Sequence, residues 1–155
     1  MKAIHFTLSA IVLSAMISLT ATAQDKASAM KAGEAVYKKY CVTCHLATGA
    51  GMPGVFPPLA NSDYMKAKDK KVIIDNVVNG LKGEITVNGK KYNNVMVPLP
   101  SEYTDADAAN VITYVMNSWG NTGPVVTAAE VKKARKAAAK PAKGAPAKAA
   151  PAKKK

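Results

Sequence analysis

Cysteine is nearly absent from this sequence: Cys41 and Cys44 are the only two, which excludes a disulfide framework and any zinc site of four cysteines. Histidine is as scarce, with His5 and His45, and Arg135 is the one arginine. Aromatics make up only 6% of the chain, and no internal repeat is visible. Long apolar runs are missing apart from one, between about Ile4 and Leu19. That run follows Lys2 and ends in Ala21-Thr22-Ala23, a small-x-small cleavage pattern before Gln24. It is short for a bilayer span and reads as a secretory signal peptide over residues 1–23. Its removal would take His5 with it and leave His45 as the sole histidine.

What the chain has in excess is positive charge, a formal +12 over 155 residues. The charge is unevenly placed. From Val131 onward the sequence is almost entirely Ala, Lys, Pro and Gly, and it holds Arg135 with Lys132, Lys133, Lys136, Lys140, Lys143, Lys148, Lys153, Lys154 and Lys155. Such a composition buries too little apolar surface to offset its ordering entropy. Residues 130–155 are therefore expected to form a disordered basic tail, with at most a helix around Ala128 to Ala139 that Pro141 would stop. The remaining segment, 24–129, is close to neutral and reads as one domain. Nucleic-acid binding is disfavoured, because the leader directs the chain to export and no base-stacking aromatic accompanies the lysines. Contact with anionic membrane or cell-envelope polymers through the tail, or steering towards an acidic partner, suits the charge better.

Between these flanks the periodicity is helical. Lys26 to Tyr40 sets Ala29, Ala32, Val36 and Tyr40 at helical spacing and leads directly into the cysteines. A second helix is expected from about Asp69 to Asn79, stopped by Gly80. A third starts at Thr104, with Asp107 placed for a capping box, and its apolar face runs through Val111, Ile112, Val115, Met116 and Trp119 to Gly120. Ile85 to Tyr92 predicts a tight hairpin about Asn88-Gly89.

The chemistry concentrates in Cys41-Val42-Thr43-Cys44-His45. A redox dithiol would follow a strand in a βαβ setting, whereas this motif follows a helix. A zinc site would need a fourth ligand that two Cys and one His do not supply. Cys-x-x-Cys-His instead meets the requirement for c-type haem: two thiols that can add across the vinyl groups, and an adjacent imidazole for the iron. Export agrees, since bacterial covalent haem attachment takes place outside the cytoplasm. With His45 used, bis-histidine ligation is excluded, and Met30, Met52, Met65, Met96 and Met116 compete for the second axial position with Lys, the amino terminus or an open site.

From about Ala29 to Gly123 the sequence resembles the class I monohaem cytochromes c, through CVTCH, GAGMPGVFPPLANSDY, YNNVMVPLP and VITYVMNSWGN. It is similar to small periplasmic cytochrome domains associated with copper nitrite reductases and alcohol dehydrogenases. The resemblance implies an all-α class I cytochrome c fold, three to four helices around one covalent haem c, with a short hairpin before the methionine loop. It implies thioethers at Cys41 and Cys44, axial ligands His45 and Met96, and the Pro57 carbonyl, or its neighbour at Pro58, accepting the other imidazole proton of His45. Relatives commonly carry proline directly after the methionine, where this chain has Val97 before Pro98. Leu59 and Phe56 would wall the haem, Tyr37 and Tyr114 would meet where the first and last helices cross, and Trp119 would lie near a propionate. The implied function is one-electron transfer between periplasmic redox proteins, with no catalytic residue. The competing reading is a haem enzyme or gas sensor with a labile sixth ligand.

Overall fold

A computed structural model describes residues 25–139, so the expected leader at 1–23 and the lysines from 140 onward lie outside it. Helix α1 covers residues 25–45. It is α-helical to 36, widens into a π-helical turn over Tyr37–Cys41, and returns to α over Val42–His45. In the wide turn the Val42 N–H reaches back to the Tyr37 carbonyl, which rotates the motif relative to the face formed by the earlier turns. The helix stops at Leu46, whose φ of 61° leaves the helical region.

Helix α2, Asp63–Ala67, was not expected from periodicity; it is one short turn capped by the buried Ser62 hydroxyl, which accepts from the Met65 N–H. Helix α3, Lys70–Asn79, is capped by Asp69 and ends at Gly80, whose φ of 81° favours glycine. Strands β1 (Ile85–Val87) and β2 (Lys90–Tyr92) pair antiparallel, Ile85 opposite Tyr92. Asn88 and Gly89, both at positive φ, make the turn that matches strand twist. Asp63 and Asn88 exchange backbone-to-side-chain hydrogen bonds at 2.9 and 2.7 Å, pinning α2 to that turn.

Helix α4, Asp105–Met116, starts with the expected capping box between Thr104 and Asp107. It ends three residues before Trp119. The Ser118 hydroxyl and the Asn117 amide bond back to the carbonyls of Tyr114 and Thr113, offering the backbone an alternative to another helical turn. Trp119 then takes a φ of 50°. The first helix crosses α4 at Gly33, where a Cβ would lie 2.1 Å from the Asn110 carbonyl oxygen, so only glycine allows that approach. Tyr37, Tyr114 and Trp119 fill the crossing as an aromatic triad, with centroids 4.9 to 5.5 Å apart.

Helix α5, Ala128–Ala139, runs across the expected boundary at 129/130. Thr127 and Glu130 form its capping box, with the Thr127 N–H donating to Glu130 Oε2 at 2.9 Å and the Glu130 N–H to Thr127 Oγ1 at 3.3 Å. Val131, 0% exposed, and the partly buried Ala134 join the core built by Ile73, Ile74 and Val78 of α3 and Ala108, Val111 and Ile112 of α4. Lys70 pairs with Glu130 at 2.6 Å. Arg135 Nε lies 3.0 Å from Asp105 Oδ1, a charge contact in which the N–H is poorly aimed, while Nη2 donates to the Tyr103 carbonyl at 3.3 Å. A helix that needs one valine and an alanine to be held can be as Ala- and Lys-rich as this one. Composition understates it because the neighbouring helices supply the rest of the apolar surface.

Candidate functional site

The C-terminal end of α1 carries Cys41, Cys44 and His45 to one side of an apolar hollow in the body of the domain. The space divides into an inner and an outer part, which share Tyr40, Cys41, His45, Pro57, Leu81, Ile85, Met96 and Val97 in their walls. Two constructions face it. The near wall is the end of α1 with the loop after it; the far wall is the end of α3, the hairpin and the extended chain around Met96.

On the near wall the loop folds back under the imidazole. Gly49 accepts from the N–H groups of Leu59 and Ala60 at 2.7 and 2.9 Å, and the Gly51 N–H donates to the His45 carbonyl at 3.1 Å. A Cβ on Gly51 would meet the Phe56 carbonyl oxygen at 2.4 Å and that of Pro57 at 2.6 Å, so glycine is what lets the strands of this loop close. The closed loop brings the Pro57 carbonyl within 3.1 Å of His45 Nδ1. A carbonyl can only accept, so Nδ1 carries the proton and Nε2 keeps its lone pair for a ligand. Burial lowers the pKa of His45, with the Pro57 bond opposing it, and burial with the Cys44 charge pushes the Cys41 thiol up to about 11. The Cys41 thiol and the His45 imidazole are thus both held towards their neutral forms.

On the far wall Met96 is held by an antiparallel bridge, exchanging hydrogen bonds of 2.9 Å each way with Leu81. Three residues on, the Leu99 N–H donates to the Val77 carbonyl at 2.8 Å, and the Leu99 side chain is buried. Of the five methionines weighed from sequence, Met65 and Met96 line the hollow, Met65 only its inner part. Met52 projects on the loop at 38% exposure, and Met116 is core. Leu59 lines the inner part and Phe56 the outer. Trp119 lines neither. It stacks in the aromatic triad against Gly49, where a Cβ would lie 2.7 Å from the indole.

Sequence reasoning missed Tyr40, Leu81 and Ile85 as wall residues. Tyr40 precedes the motif and was read only as helix periodicity; Leu81 and Ile85 carry no signal beyond being apolar after a helix stop.

The residues present fit a covalently held haem. Two thiols and an imidazole with a free lone pair open onto a hollow walled mainly by carbon, and a thioether lies on a separate segment of the same hollow.

The family model for cytochrome c matches residues 30–119. Cytochrome c-552 of Thermus thermophilus is 36% identical over 111 residues, covering 66% of this chain and 83% of that protein. The cytochrome c subunit of a quinone alcohol dehydrogenase from Gluconacetobacter polyoxogenes is 31% identical over 105 residues, 66% of this chain and 22% of the subunit. The corresponding subunit from Gluconobacter oxydans is 28% identical over 113 residues, 72% of this chain and 23% of the subunit. The chain thus spans less than a quarter of these dehydrogenase subunits.

Proposed function

The chain belongs to the cytochrome c family, whose members carry covalently bound haem c and serve haem-based electron transfer, and on that premise we propose that it is an exported one-electron carrier with His45 and Met96 as axial ligands. When bound, the haem supplies a one-electron couple at iron. Everything else in the mechanism is the work of this chain's side chains.

Cys41 and Cys44 would hold the group by thioether bonds and His45 would offer Nε2, its ring fixed by the Nδ1 bond to Pro57. Met96 would offer a thioether from the far wall, and with His45 and Met96 both engaged no position would be left for a substrate. The apolar walls exclude water, so little solvent must reorganise as charge changes. At the rim of the outer part, Val95 and Val97 stand 56% and 59% exposed, near Val55, whose carbonyl accepts from Asn94. This small apolar rim suits brief contact with donor and acceptor redox proteins. The observation that carries the reading is the pairing of an oriented imidazole and a bridged methionine on one hollow. Residues 1–23 support export to the periplasm by their sequence, and the lysines of 140–155 support contact with anionic surfaces at the envelope or an acidic partner.

The purified protein should have the mass of residues 24–155 plus one haem. Its ferric form should be low-spin and bind cyanide slowly, whereas Met96→Ala should be high-spin, bind cyanide rapidly and lose on the order of 0.1 V in potential. A high-spin wild type with rapid CO and cyanide binding would instead mark a haem enzyme or gas sensor.

A further inference from the structure

The loop bearing Met96 is tied by its backbone to its own side of the hollow, and by the exposed Asn94 amide, which donates to the Val55 carbonyl at 3.0 Å, to the loop that follows the attachment helix. The Leu81 bridge and the Leu99 N–H to Val77 carbonyl bond both run back to α3 and the residues just after it. These bonds fix the loop relative to the far wall but not relative to the helix that carries the cysteines and His45. Among the described residues, one side-chain hydrogen bond joins that helix to the loop: the Tyr40 hydroxyl donates to the Pro98 carbonyl at 3.2 Å, across 58 residues of sequence.

The surroundings hold Tyr40 to this task. Its ring lies on the hollow beside Cys41. On its other side it meets Tyr103, with centroids 5.9 Å apart, and Tyr103 is itself bonded through its N–H to the Pro100 carbonyl at 3.1 Å. Arg135 of α5 donates to the Tyr103 carbonyl, so the ring is backed by the last helix. The π-helical turn over Tyr37–Cys41 opens the angle between Tyr37, which faces α4, and Tyr40, which faces the loop. The loop needs such a tie between Met96 and Leu99, because Val97 is largely in solvent and Pro98 has no N–H to bond.

We propose that Tyr40 is a positioning residue that clasps the Met96 loop to the attachment helix, so that the Tyr40 to Pro98 bond sets how often the methionine side of the hollow opens. This rests on the ligand reading above only for its consequence at iron; the clasp is a statement about the chain.

Two measurements on the full haem-loaded protein test it, each on Tyr40→Phe and on Tyr37→Phe. The second variant removes a hydroxyl from the same helical turn, where Tyr37 donates to the Leu46 carbonyl at 2.7 Å, and touches nothing in the loop. Amide exchange at Met96 and Leu81 under native conditions reads loop opening whatever ligates the iron. Cyanide entry into the ferric protein reads the same opening through loss of the methionine bond. Tyr40→Phe should raise both rates roughly five-fold, as fits the loss of one partly exposed hydrogen bond, with the melting temperature little changed. Tyr37→Phe should lower the melting temperature and leave both local rates unchanged. Unchanged amide exchange in Tyr40→Phe, or an equal rise in Tyr37→Phe, would overturn the clasp. If wild-type cyanide entry were already fast, the Met96 ligand reading would fail, and the exchange rates would still decide on Tyr40.

Discussion

The two walls of the hollow are built on different principles. The near wall is helix followed by a loop that closes on itself through Gly49 and Gly51, and the imidazole of His45 has its outer nitrogen bonded before any ligand is considered. The far wall is extended chain, hung between the Leu81 bridge and the Leu99 anchor, with valines at 95 and 97 turned to solvent. Covalent attachment demands a fixed geometry for two thiols and one imidazole, and short-range structure supplies it. A single thioether, in the ligation proposed for Met96, tolerates a segment that is only pinned at intervals, and a pinned segment can open.

The largest effect should come from breaking the near wall. His45→Ala removes the imidazole and leaves the Pro57 carbonyl without its donor, and the yield of haem-loaded protein should fall by on the order of ten-fold or more, measured by haem stain against total protein. An intermediate effect is expected at the far wall from Gly80→Ala. Gly80 sits at φ 81°, ψ 173°, a conformation reserved for glycine, and the new Cβ would meet the Met96 carbonyl oxygen at 2.7 Å. The variant should lose about 1–3 kcal/mol in denaturant unfolding and admit cyanide faster, while the covalent haem yield stays near wild type. Equal loss of haem yield in both variants would erase the distinction between the walls.

The smallest effect concerns the helix behind the far wall. Its side-chain hydrogen bond to Lys70, followed by the backbone bond from Thr127, holds the Glu130 carboxyl below its ordinary pKa of 4.5. A depressed folded pKa contributes stability above the unfolded value and loses it as pH falls through the folded one. Between pH 5 and pH 3, wild type should therefore lose slightly more stability than Glu130→Gln, and the two should run parallel above pH 6. The site is exposed enough that solvent and salt screen much of the pair.

Local signals in the sequence were reliable where the structure depends on local chemistry. The Thr104 to Asp107 box, the Asn88-Gly89 turn and the Gly80 stop each rest on a few adjacent residues, and each stands where the spacing predicted. The same signal, Thr127-x-x-Glu130, marks the start of α5, and a reading led by the Ala- and Lys-rich composition beyond it passed it over. Trp119 shows the opposite error: its helical phase was sound, but Asn117 and Ser118 bond back to the preceding turn and end the helix first.

The sequence by itself determined the chemistry of the near wall, because Cys41, Cys44 and His45 are contiguous and no other cysteine exists to offer an alternative. It also determined the helical and hairpin elements whose caps and turns are local. Only the tertiary structure decided that Val131 closes the core and that Met65 and Met96, not Met52, reach the hollow. It alone brought the Tyr40 hydroxyl to the Pro98 carbonyl. Those contacts join residues tens of positions apart, and their strength comes from burial and from a crossing as close as Gly33 on Asn110, which no short stretch of the chain contains.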